Sequence, residues 1–274
     1  FGTITRITKK NKTTKALVIC DNVIPHEKRP GDKTFTKFFF NAVDYFILMS
    51  ESVRQDLIKI KPSAKHKLLF HPVYSNFGNS IAKTEAKDYL KIKAEKVILF
   101  FGFVRKYKGL DNLLDAMPII LKQQNVQLLV AGECYTDKNE YFEQVENLEI
   151  SNNVTFFSDF IPSEEVKYYF SAADVVILPY KNATQSGIVQ IANNFHKPLI
   201  GTKTGGLTEI IENDKNGYLV EPENPDELAK AIIKFYEQDK EHAFSENVKL
   251  ELDKFSWKRF AEEIEILAGF NANK

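Results

Sequence analysis

The fold is decided by three consecutive pieces of sequence: Asp174-Val-Val-Ile-Leu178, Pro179-Tyr-Lys-Asn-Ala-Thr-Gln-Ser-Gly187 and Ile188-Val-Gln-Ile-Ala-Asn-Asn-Phe195. The first piece predicts a buried strand that ends at the proline. Apolar residues then recur at 188, 191, 192 and 195, which is the spacing of one helix face. A Gln-Ser-Gly turn at a helix start presents unpaired N–H groups and the positive end of the helix dipole. The stretch therefore predicts a strand, a loop and a helix that bind an anion such as a phosphate.

Composition is that of an ordinary folded protein. The 274 residues are 43% hydrophobic and 27% charged. No apolar run approaches the roughly 20 residues that span a bilayer. Cys20 and Cys134 lie far apart without metal-ligand spacing, which favours reduced thiols in a reducing compartment. The sequence shows no aspartate cluster of the kind that binds magnesium, so we expect neither a metal nor a cofactor.

Charge is unevenly distributed along a chain whose net charge is zero. Residues 1–72 carry 14 lysines and arginines against six aspartates and glutamates, and the remainder carries the opposite excess. A basic part of this kind suits an anionic partner, either a membrane surface or a phosphate-bearing acceptor. A solvated lysine-rich surface is the alternative. Nucleic acid is not expected, because the basic residues are not interleaved with aromatic residues in a binding motif.

Short apolar runs alternate with helical patterns, which predicts a doubly wound α/β architecture with parallel strands. Candidate strands are Ala16–Cys20, Tyr45–Met49, Lys67–Phe70, Val97–Phe101, Val126–Ala131, Val154–Phe157, Val175–Leu178, Leu199–Gly201 and Gly217–Val220. Candidate helices between them include Leu110–Gln123, Lys138–Leu148, Ser163–Ala172 and Asp226–Gln238.

The order of these elements predicts two domains. Residues 97–255 form one complete Rossmann-like domain. Residues 1–72, with about three strands, are interpreted as the C-terminal part of another whose beginning is absent from this chain. Residues 73–96 are mixed and polar and are predicted to be an interdomain linker. Residues 256–274 hold a last helix, with Ser256 as its N-cap, that is expected to pack back toward the N-terminal domain.

A second motif, Leu99-Phe-Phe-Gly-Phe-Val-Arg-Lys-Tyr-Lys-Gly109, leads from a buried strand into a glycine and two spaced cations. Gly102 would let a ligand approach the backbone closely. Arg105 and Lys108 could hold a diphosphate, the arginine as a fork and the lysine as a point charge. A surface loop with incidental basic residues is the alternative. The position of the motif at the carboxyl end of a strand favours a ligand site.

Together the motifs resemble those of the family 4 (group 1) retaining glycosyltransferases, which have the two-domain GT-B fold and use nucleotide-sugar donors. The matching segments cover essentially the whole chain: Asp44–Ser50, Gly102–Gly109, Leu128–Gly132, Val154–Phe156, Ala173–Pro179, Lys197–Glu209 and Asn216–Gly217. The resemblance implies an α/β, GT-B-type fold. Residues 1–72 would then belong to the acceptor domain, and residues 97–255 would bind the donor.

By position, the resemblance implies that Arg105 and Lys108 neutralise the donor diphosphate and act in catalysis. Backbone groups of residues 185–189 would hold the diphosphate from the helix side, and Asp159-Phe160-Ile161 would lie near the nucleobase. The expected donor-binding residues are Gly102, Phe160, Thr184, Gln185, Ser186, Gly187, Ile188, Val189 and Gln190.

One departure from the family concerns acidic residues. The family usually carries two glutamates eight positions apart around this loop, and those positions are Ala183 and Ile191 here. No aspartate or glutamate occurs between Val175 and Thr208. Gln185 or Gln190 could take over a hydroxyl contact, since an amide both donates and accepts.

The acceptor side is predicted from the loop that follows the first strand, where the family places an active-site loop. His26 is expected to act as a catalytic residue that hydrogen-bonds the donor sugar or the acceptor, oriented by Glu27 or Asp21. Lys28 and Arg29 are expected to meet an acceptor phosphate. The alternative is a loop histidine without a chemical role.

The resemblance implies retaining hexosyl transfer from a nucleoside diphosphate sugar, with UDP among the nucleotides expected, to a hydroxyl of a carbohydrate or lipid-linked acceptor. It suits cell-surface polysaccharide or glycolipid biosynthesis in the cytoplasm, with peripheral contact at the inner face of the membrane through the basic N-terminal part. Two alternatives stay open. One is a non-catalytic nucleotide-sugar-binding relative, which the missing acids favour, and the other is a nucleotide-sugar epimerase of the same fold.

Overall fold

A computed structural model describes residues 3, 7–8, 10–11, 13–24, 31–183 and 186–270. Its strands are β1 Leu17–Cys20, β2 Tyr45–Leu48, β3 Lys65–Leu68, β4 Lys96–Phe101, β5 Val126–Ala131, β6 Val154–Phe157, β7 Val175–Leu178, β8 Leu199–Thr202 and β9 Gly217–Val220. Its helices are α1 Asp32–Phe40, α2 Glu51–Ile60, α3 Lys83–Leu90, α4 Leu110–Leu121, α5 Lys138–Asn147, α6 Val166–Ala172, α7 Gly187–Asn194, α8 Leu207–Ile210, α9 Pro225–Glu237, α10 Lys240–Glu251 and α11 Trp257–Ala268. The chain divides into two compact units, one of Phe1–Pro72 with Asp253–Lys274 and one of Val73–Leu252.

The first unit is built on a three-stranded parallel sheet with the order β1-β2-β3. Alternate side chains of β2 point to opposite faces of the sheet, as the pleat of a strand requires. Phe46 and Leu48 pack with residues of α1 and α2 on one face. Ile47 packs with Phe260 of α11 on the other face. The last helix therefore completes the core of the first unit.

Helix α11 begins as the sequence predicts. The hydroxyl oxygen of Ser256 accepts a hydrogen bond from the Arg259 N–H at 3.2 Å, which caps the first turn. An ion pair between Lys67 of β3 and Glu263 also joins the helix to the sheet.

The second unit is built on a six-stranded parallel sheet with the order β6-β5-β4-β7-β8-β9. Ile98 and Phe100 of β4 face a core shared with α4, α5 and α9. Leu99 and Phe101 face a second core shared with α3, α6 and α7. Strands covered on both faces need apolar side chains at every position, which explains the uninterrupted apolar runs. The predicted doubly wound α/β architecture is confirmed.

Several boundaries differ from those predicted. The strand predicted at Lys67–Phe70 is β3, Lys65–Leu68, which begins with polar residues because it lies at a sheet edge and is half-buried. The stretch 73–96, predicted as a linker, lies in the second unit and includes α3, which packs against α6. Only Ala86 and Leu90 of α3 are buried, so its polar composition hides the helix. The second unit accordingly runs from Val73 to Leu252, where the sequence suggests 97–255.

Among the helices of the described ranges, none is long and apolar enough to cross a bilayer.

Asp174 fixes the amino ends of the two central strands of the second unit. Its Oδ2 accepts from the Val97 N–H at 2.8 Å, and its own N–H donates to the Val97 carbonyl oxygen at 2.8 Å. The Tyr236 hydroxyl donates to the same Oδ2 at 2.8 Å, and Lys83 pairs with the other carboxylate oxygen. Burial and the charge of Asp174 both disfavour the phenolate, so the pKa of Tyr236 is raised well above its ordinary value. The carboxylate thus joins β4, β7, α3 and α9.

We expect Asp174→Asn to lower the free energy of unfolding by about 2–4 kcal/mol, because the buried amide has one acceptor oxygen for three partners and no charge to pair with Lys83. Asp214→Asn is the matched control, since Asp214 forms an exposed pair with Lys234 at 2.9 Å and should change stability by less than about 1 kcal/mol. Urea unfolding of both variants measures the difference. Equal effects would contradict the role given to Asp174.

Candidate functional site

The order of the second sheet creates a crevice between β4 and β7. These two strands are neighbours, and the chain runs outward from them in opposite directions, through β5 and β6 on one side and through β8 and β9 on the other. Open α/β sheets bind ligands at the carboxyl ends of strands where the order reverses in this way. The loops after Phe101 and after Leu178 therefore meet at one place.

Close backbone contacts join the two loops. Gly109 has a φ of 68°, and a β-carbon placed on it would lie 2.0 Å from the carbonyl oxygen of Pro179. Only a hydrogen atom fits there, so glycine is required both for its conformation and for the close approach. The Lys181 N–H donates to the Tyr107 carbonyl oxygen at 2.8 Å, and its Nζ pairs with Asp111 at 2.5 Å.

Lys108 lies at the centre of the crevice and is only 7% exposed. A β-carbon on Gly102 would lie 3.1 Å from its Nζ and 2.9 Å from Cδ1 of Ile188, which places the lysine amine beside the start of α7. Its Nζ lies 5.8 Å from the ring centroid of Tyr180. Burial, and secondly the charge of Arg105, lower the pKa of Lys108 to about 8. No carboxylate among the described residues pairs with it.

Two glycines let the strand ends approach one another. Gly102 and Gly132 have φ values of 95° and 135°. A β-carbon on Gly132 would lie 2.5 Å from the Gly102 carbonyl oxygen. The Gly102 N–H donates to Ala131 at 2.8 Å, and the Gly132 N–H donates to Phe157 at 2.9 Å, which extends the sheet pairing into the loops.

Arg105 is exposed and rests on an aromatic pair. Its guanidinium carbon lies 4.8 Å from the ring centroid of Tyr135, and that ring meets Phe103 edge-on at 4.9 Å. A guanidinium stacked on an aromatic face keeps its N–H groups directed outward. The two cations therefore differ, since Lys108 is buried and Arg105 lies at the surface.

Helix α7 begins with uncapped backbone groups. Ser186 occupies the N-cap position, but its side chain makes no capping hydrogen bond. The N–H groups of Gly187 and Ile188 have no hydrogen-bond partner among the described residues, whereas the Val189 N–H donates to the Ser186 carbonyl oxygen at 3.1 Å. Donors at a helix start, with the positive end of the dipole, favour an anion.

The other predicted donor-site residues are placed as follows. Val189 is buried in the core. Gln190 is buried too, and its Oε1 accepts from Asn193 at 3.4 Å, so that oxygen is directed within the helix. Phe160 is 67% exposed in the loop after β6, and Ile161 packs against the core. Thr184 and Gln185 lie outside the described residues.

Most of the residues predicted for the acceptor side lie outside the part of the chain that the structure describes. His26, Lys28 and Arg29 lie outside the described residues, as does Glu27. Asp21 is exposed directly after β1.

The two positions where the family carries acids have apolar surroundings. Ile191 is 6% exposed within the core, and Ala183 packs against the same cluster. Within the described ranges, no three His, Cys, Asp or Glu side chains are grouped as a metal site requires.

Several residues that shape the site escape sequence reasoning. Tyr180 and Tyr135 support Lys108 and Arg105, and Gly109 and Gly132 allow the close backbone contacts. The sequence offers a signal for Gly132, because this glycine directly follows the apolar strand β5. Nothing local marks the two tyrosines, because their partners come from other loops.

Comparison with known proteins agrees with this architecture. The family model for glycosyl transferases group 1 matches residues 82–251, which include both loops of the crevice. An uncharacterized glycosyltransferase of Methanocaldococcus jannaschii is 28% identical over 227 residues, or 79% of this chain and 57% of that protein. Spore coat protein SA of Bacillus subtilis is 26% identical over 246 residues, or 82% of this chain and 64% of that protein. The chain thus spans less than two thirds of the length of these relatives.

Solved structures show the same fold. The HepE protein of Anabaena in complex with UDP has a TM-score of 0.82 at 18% identity, covering 98% of this chain and 76% of that chain. Sucrose-phosphate synthase from Thermosynechococcus elongatus has a TM-score of 0.79 at 19% identity, covering 99% of this chain and 72% of that chain. These likenesses confirm the predicted α/β, GT-B-type fold class. Since the family model matches more than half of its residues, the chain belongs to the glycosyl transferases group 1 family.

Proposed function

We propose that this chain is part of a retaining hexosyltransferase that takes its sugar from a nucleoside diphosphate and binds that donor in the crevice between β4 and β7. Family membership supplies the reaction class. The observation that carries the donor assignment is Lys108, a buried ammonium beside Gly102 and Ile188 without a carboxylate partner among the described residues. A buried charge is costly unless it is paired, and a diphosphate is the partner that the family donors would provide.

Three kinds of positive group would meet the diphosphate. Lys108 supplies a buried point charge, Arg105 an outward guanidinium, and α7 the N–H groups of its first turn. Negative charge grows on the diphosphate as the bond to the sugar breaks. These groups therefore stabilise the transition state more than the bound donor, which is the condition for a faster reaction. The proposal assigns charge neutralisation to this chain and assigns no metal or cofactor.

The rest of the mechanism is proposed from the resemblance. With no acid between Val175 and Thr208, this loop offers no carboxylate nucleophile. The bond between the anomeric carbon and the diphosphate oxygen breaks, and the acceptor oxygen bonds to that carbon on the same face. The departing diphosphate oxygen takes the proton of the acceptor hydroxyl, so the sugar keeps its anomeric configuration. His26 contacts the donor sugar or the acceptor, and Lys28 and Arg29 contact an acceptor phosphate.

UDP is the first nucleotide to test, because the HepE structures hold UDP, UDP with glucose, and UDP-glucose. The acceptor is proposed to be a carbohydrate or a lipid-linked carbohydrate of cell-surface polysaccharide or glycolipid synthesis. We place the reaction in the cytoplasm, with the basic part at residues 1–72 in contact with the inner face of the membrane.

A second candidate is a nucleotide-sugar-binding protein without transferase activity. The observation that favours it is the placement of Ala183 and Ile191 against an apolar core, where the family carries glutamates. Calorimetry with UDP, together with a product assay over UDP-, GDP- and ADP-sugars, separates the two. Transfer to an acceptor supports the proposal, and binding without turnover supports the second candidate. A change of sugar configuration without transfer indicates an epimerase, and no nucleotide binding contradicts all three.

We expect Lys108→Met to weaken UDP binding at least about tenfold and to raise the free energy of unfolding by about 1–3 kcal/mol. Binding weakens because methionine has no charge to contact the diphosphate. Stability rises because the unliganded variant no longer buries an unpaired charge. Lys106→Met is the matched control, because Lys106 lies in the same turn, is exposed, and pairs with Glu140 at 3.5 Å. Calorimetry and urea unfolding measure both quantities. Unchanged UDP affinity in Lys108→Met would show that Lys108 does not contact the diphosphate.

Arg105→Ala should weaken UDP binding about three- to tenfold, because a charge-assisted contact to the diphosphate is lost. Arg105→Lys should recover only part of this loss, since an ammonium cannot contact two oxygens as a fork. Titration calorimetry compares the two variants. If alanine binds UDP as well as arginine does, Arg105 makes no contact with the diphosphate.

UDP affinity should fall as the pH rises above about 8. The pKa of Lys108 is about 8 in the free protein, and a bound diphosphate raises it. UDP affinity is therefore highest below the pKa that Lys108 has in the free protein. It declines as the pH rises through that value, by up to about tenfold per pH unit, until the pH passes the pKa that Lys108 has with UDP bound. Lys108→Arg should bind with little pH dependence between about pH 7.5 and 9.5, because arginine stays charged. Equal slopes for both proteins would contradict the assignment.

A further inference from the structure

Three serines of the described residues stand directly before a helix, and one of them behaves differently. Ser50 caps α2 by accepting from the Val53 N–H at 3.4 Å, and Ser256 caps α11 by accepting from Arg259. Ser186 has the extended backbone of an N-cap residue, with φ −138° and ψ 116°, yet its side chain makes no such bond to α7. Serine is a preferred N-cap, so something must hold its hydroxyl elsewhere.

The hydroxyl of Ser186 is held by Tyr180. The two oxygens lie 2.9 Å apart and share a hydrogen bond. Tyr180 is fixed in turn, because it is 2% exposed, its carbonyl oxygen accepts from Thr202 Oγ1 at 2.6 Å, and Tyr107 packs edge-on against its ring. Burial raises the pKa of Tyr180 well above its ordinary value, so the phenol remains protonated. A rigid neutral partner therefore keeps the serine hydroxyl from the helix.

The same ring lies beside the buried cation. Lys108 Nζ is 5.8 Å from the ring centroid of Tyr180. The same amine and the side chain of Ile188 both border the space beside Gly102. The uncapped N–H groups and the unpaired ammonium thus belong to one place. A buried ammonium without a carboxylate is an independent sign that an anion occupies this place.

We propose that Tyr180 is a positioning residue of the donor site, whose hydroxyl keeps Ser186 from capping α7 and so reserves the first-turn N–H groups for the diphosphate. The ligand in this statement rests on the proposed function, whereas the competition for the serine hydroxyl does not. Without the phenol oxygen, Ser186 Oγ would turn to the N–H of Ile188, as N-cap serines do. The diphosphate would then have to displace it.

The test compares wild type, Tyr180→Phe, Ser186→Ala and the double variant by calorimetric titration with UDP. We expect Tyr180→Phe to bind about fivefold more weakly, which is the value of one N-cap bond. Ser186→Ala keeps the main-chain groups that are expected to hold the diphosphate, so it should bind UDP within about twofold of wild type, and the double variant should return to the affinity of Ser186→Ala. Alanine cannot cap, so it removes the competitor that the phenylalanine variant releases.

Amide hydrogen exchange measured by NMR without ligand supplies a second readout. Exchange of the Ile188 amide, whose N–H has no partner among the described residues, should slow several-fold in Tyr180→Phe and return to the wild-type rate in the double variant.

Three results would overturn the proposal. If the double variant binds UDP as weakly as Tyr180→Phe, the effect of Tyr180 does not act through Ser186, and the role of Tyr180 is in packing alone. A Ser186→Ala variant as weak as Tyr180→Phe means that the serine itself contacts the phosphate. Unchanged amide exchange in Tyr180→Phe means that no cap forms. If wild type fails to bind UDP, the choice of UDP as the nucleotide fails separately, and the exchange measurement still decides whether Tyr180 restrains Ser186.

Discussion

The contact between Gly109 and the carbonyl oxygen of Pro179 is the constraint on which the site depends. It holds the loop after β4 against the loop after β7, and no side chain fits in the space. Asp174 and Val97 fix the other ends of the same two strands. The crevice is therefore anchored at both ends of its two central strands, and the residues on the loops have a defined place before any ligand arrives.

Buried polar groups of folded proteins normally have partners within the protein. Two neighbouring features of this crevice do not follow that rule. Lys108 is buried without a carboxylate among the described residues, and α7 begins without a side-chain cap. Each feature alone costs stability. Under the proposed function, this cost serves a ligand that is negative, compact and able to accept several hydrogen bonds, as a diphosphate is.

The sequence predicts the fold well because the information is local. Strands β5, β6, β7 and β9 have the predicted bounds, since short, mainly apolar runs between turn residues leave little choice. The helix that the apolar spacing from 188 to 195 predicts is α7, whereas the predicted roles of Arg105 and Lys108 stay proposals. Helix α3 was missed because only two of its residues are buried.

Other features of the site depend on which strands become neighbours, and periodicity does not carry that information. The position of Lys108 beside Ile188 follows from β4 lying next to β7, although the two residues are far apart in the sequence. The Tyr180–Ser186 hydrogen bond depends on side-chain rotamers across a loop, and the inward direction of the Gln190 oxygen depends on its partner Asn193. The roles of His26, Lys28, Arg29, Thr184 and Gln185 stay predictions.

The burial of Lys108 also bears on what happens after the sugar has left. Under the proposed function, the nucleoside diphosphate carries more negative charge as a product than it did as part of the donor. A desolvated ammonium attracts that extra charge strongly, so the product binds more tightly than the donor. The interaction that favours bond cleavage then slows departure of the nucleotide. Escape of the spent nucleotide, rather than sugar transfer, would set the pace of each cycle, and accumulated nucleoside diphosphate would inhibit the enzyme.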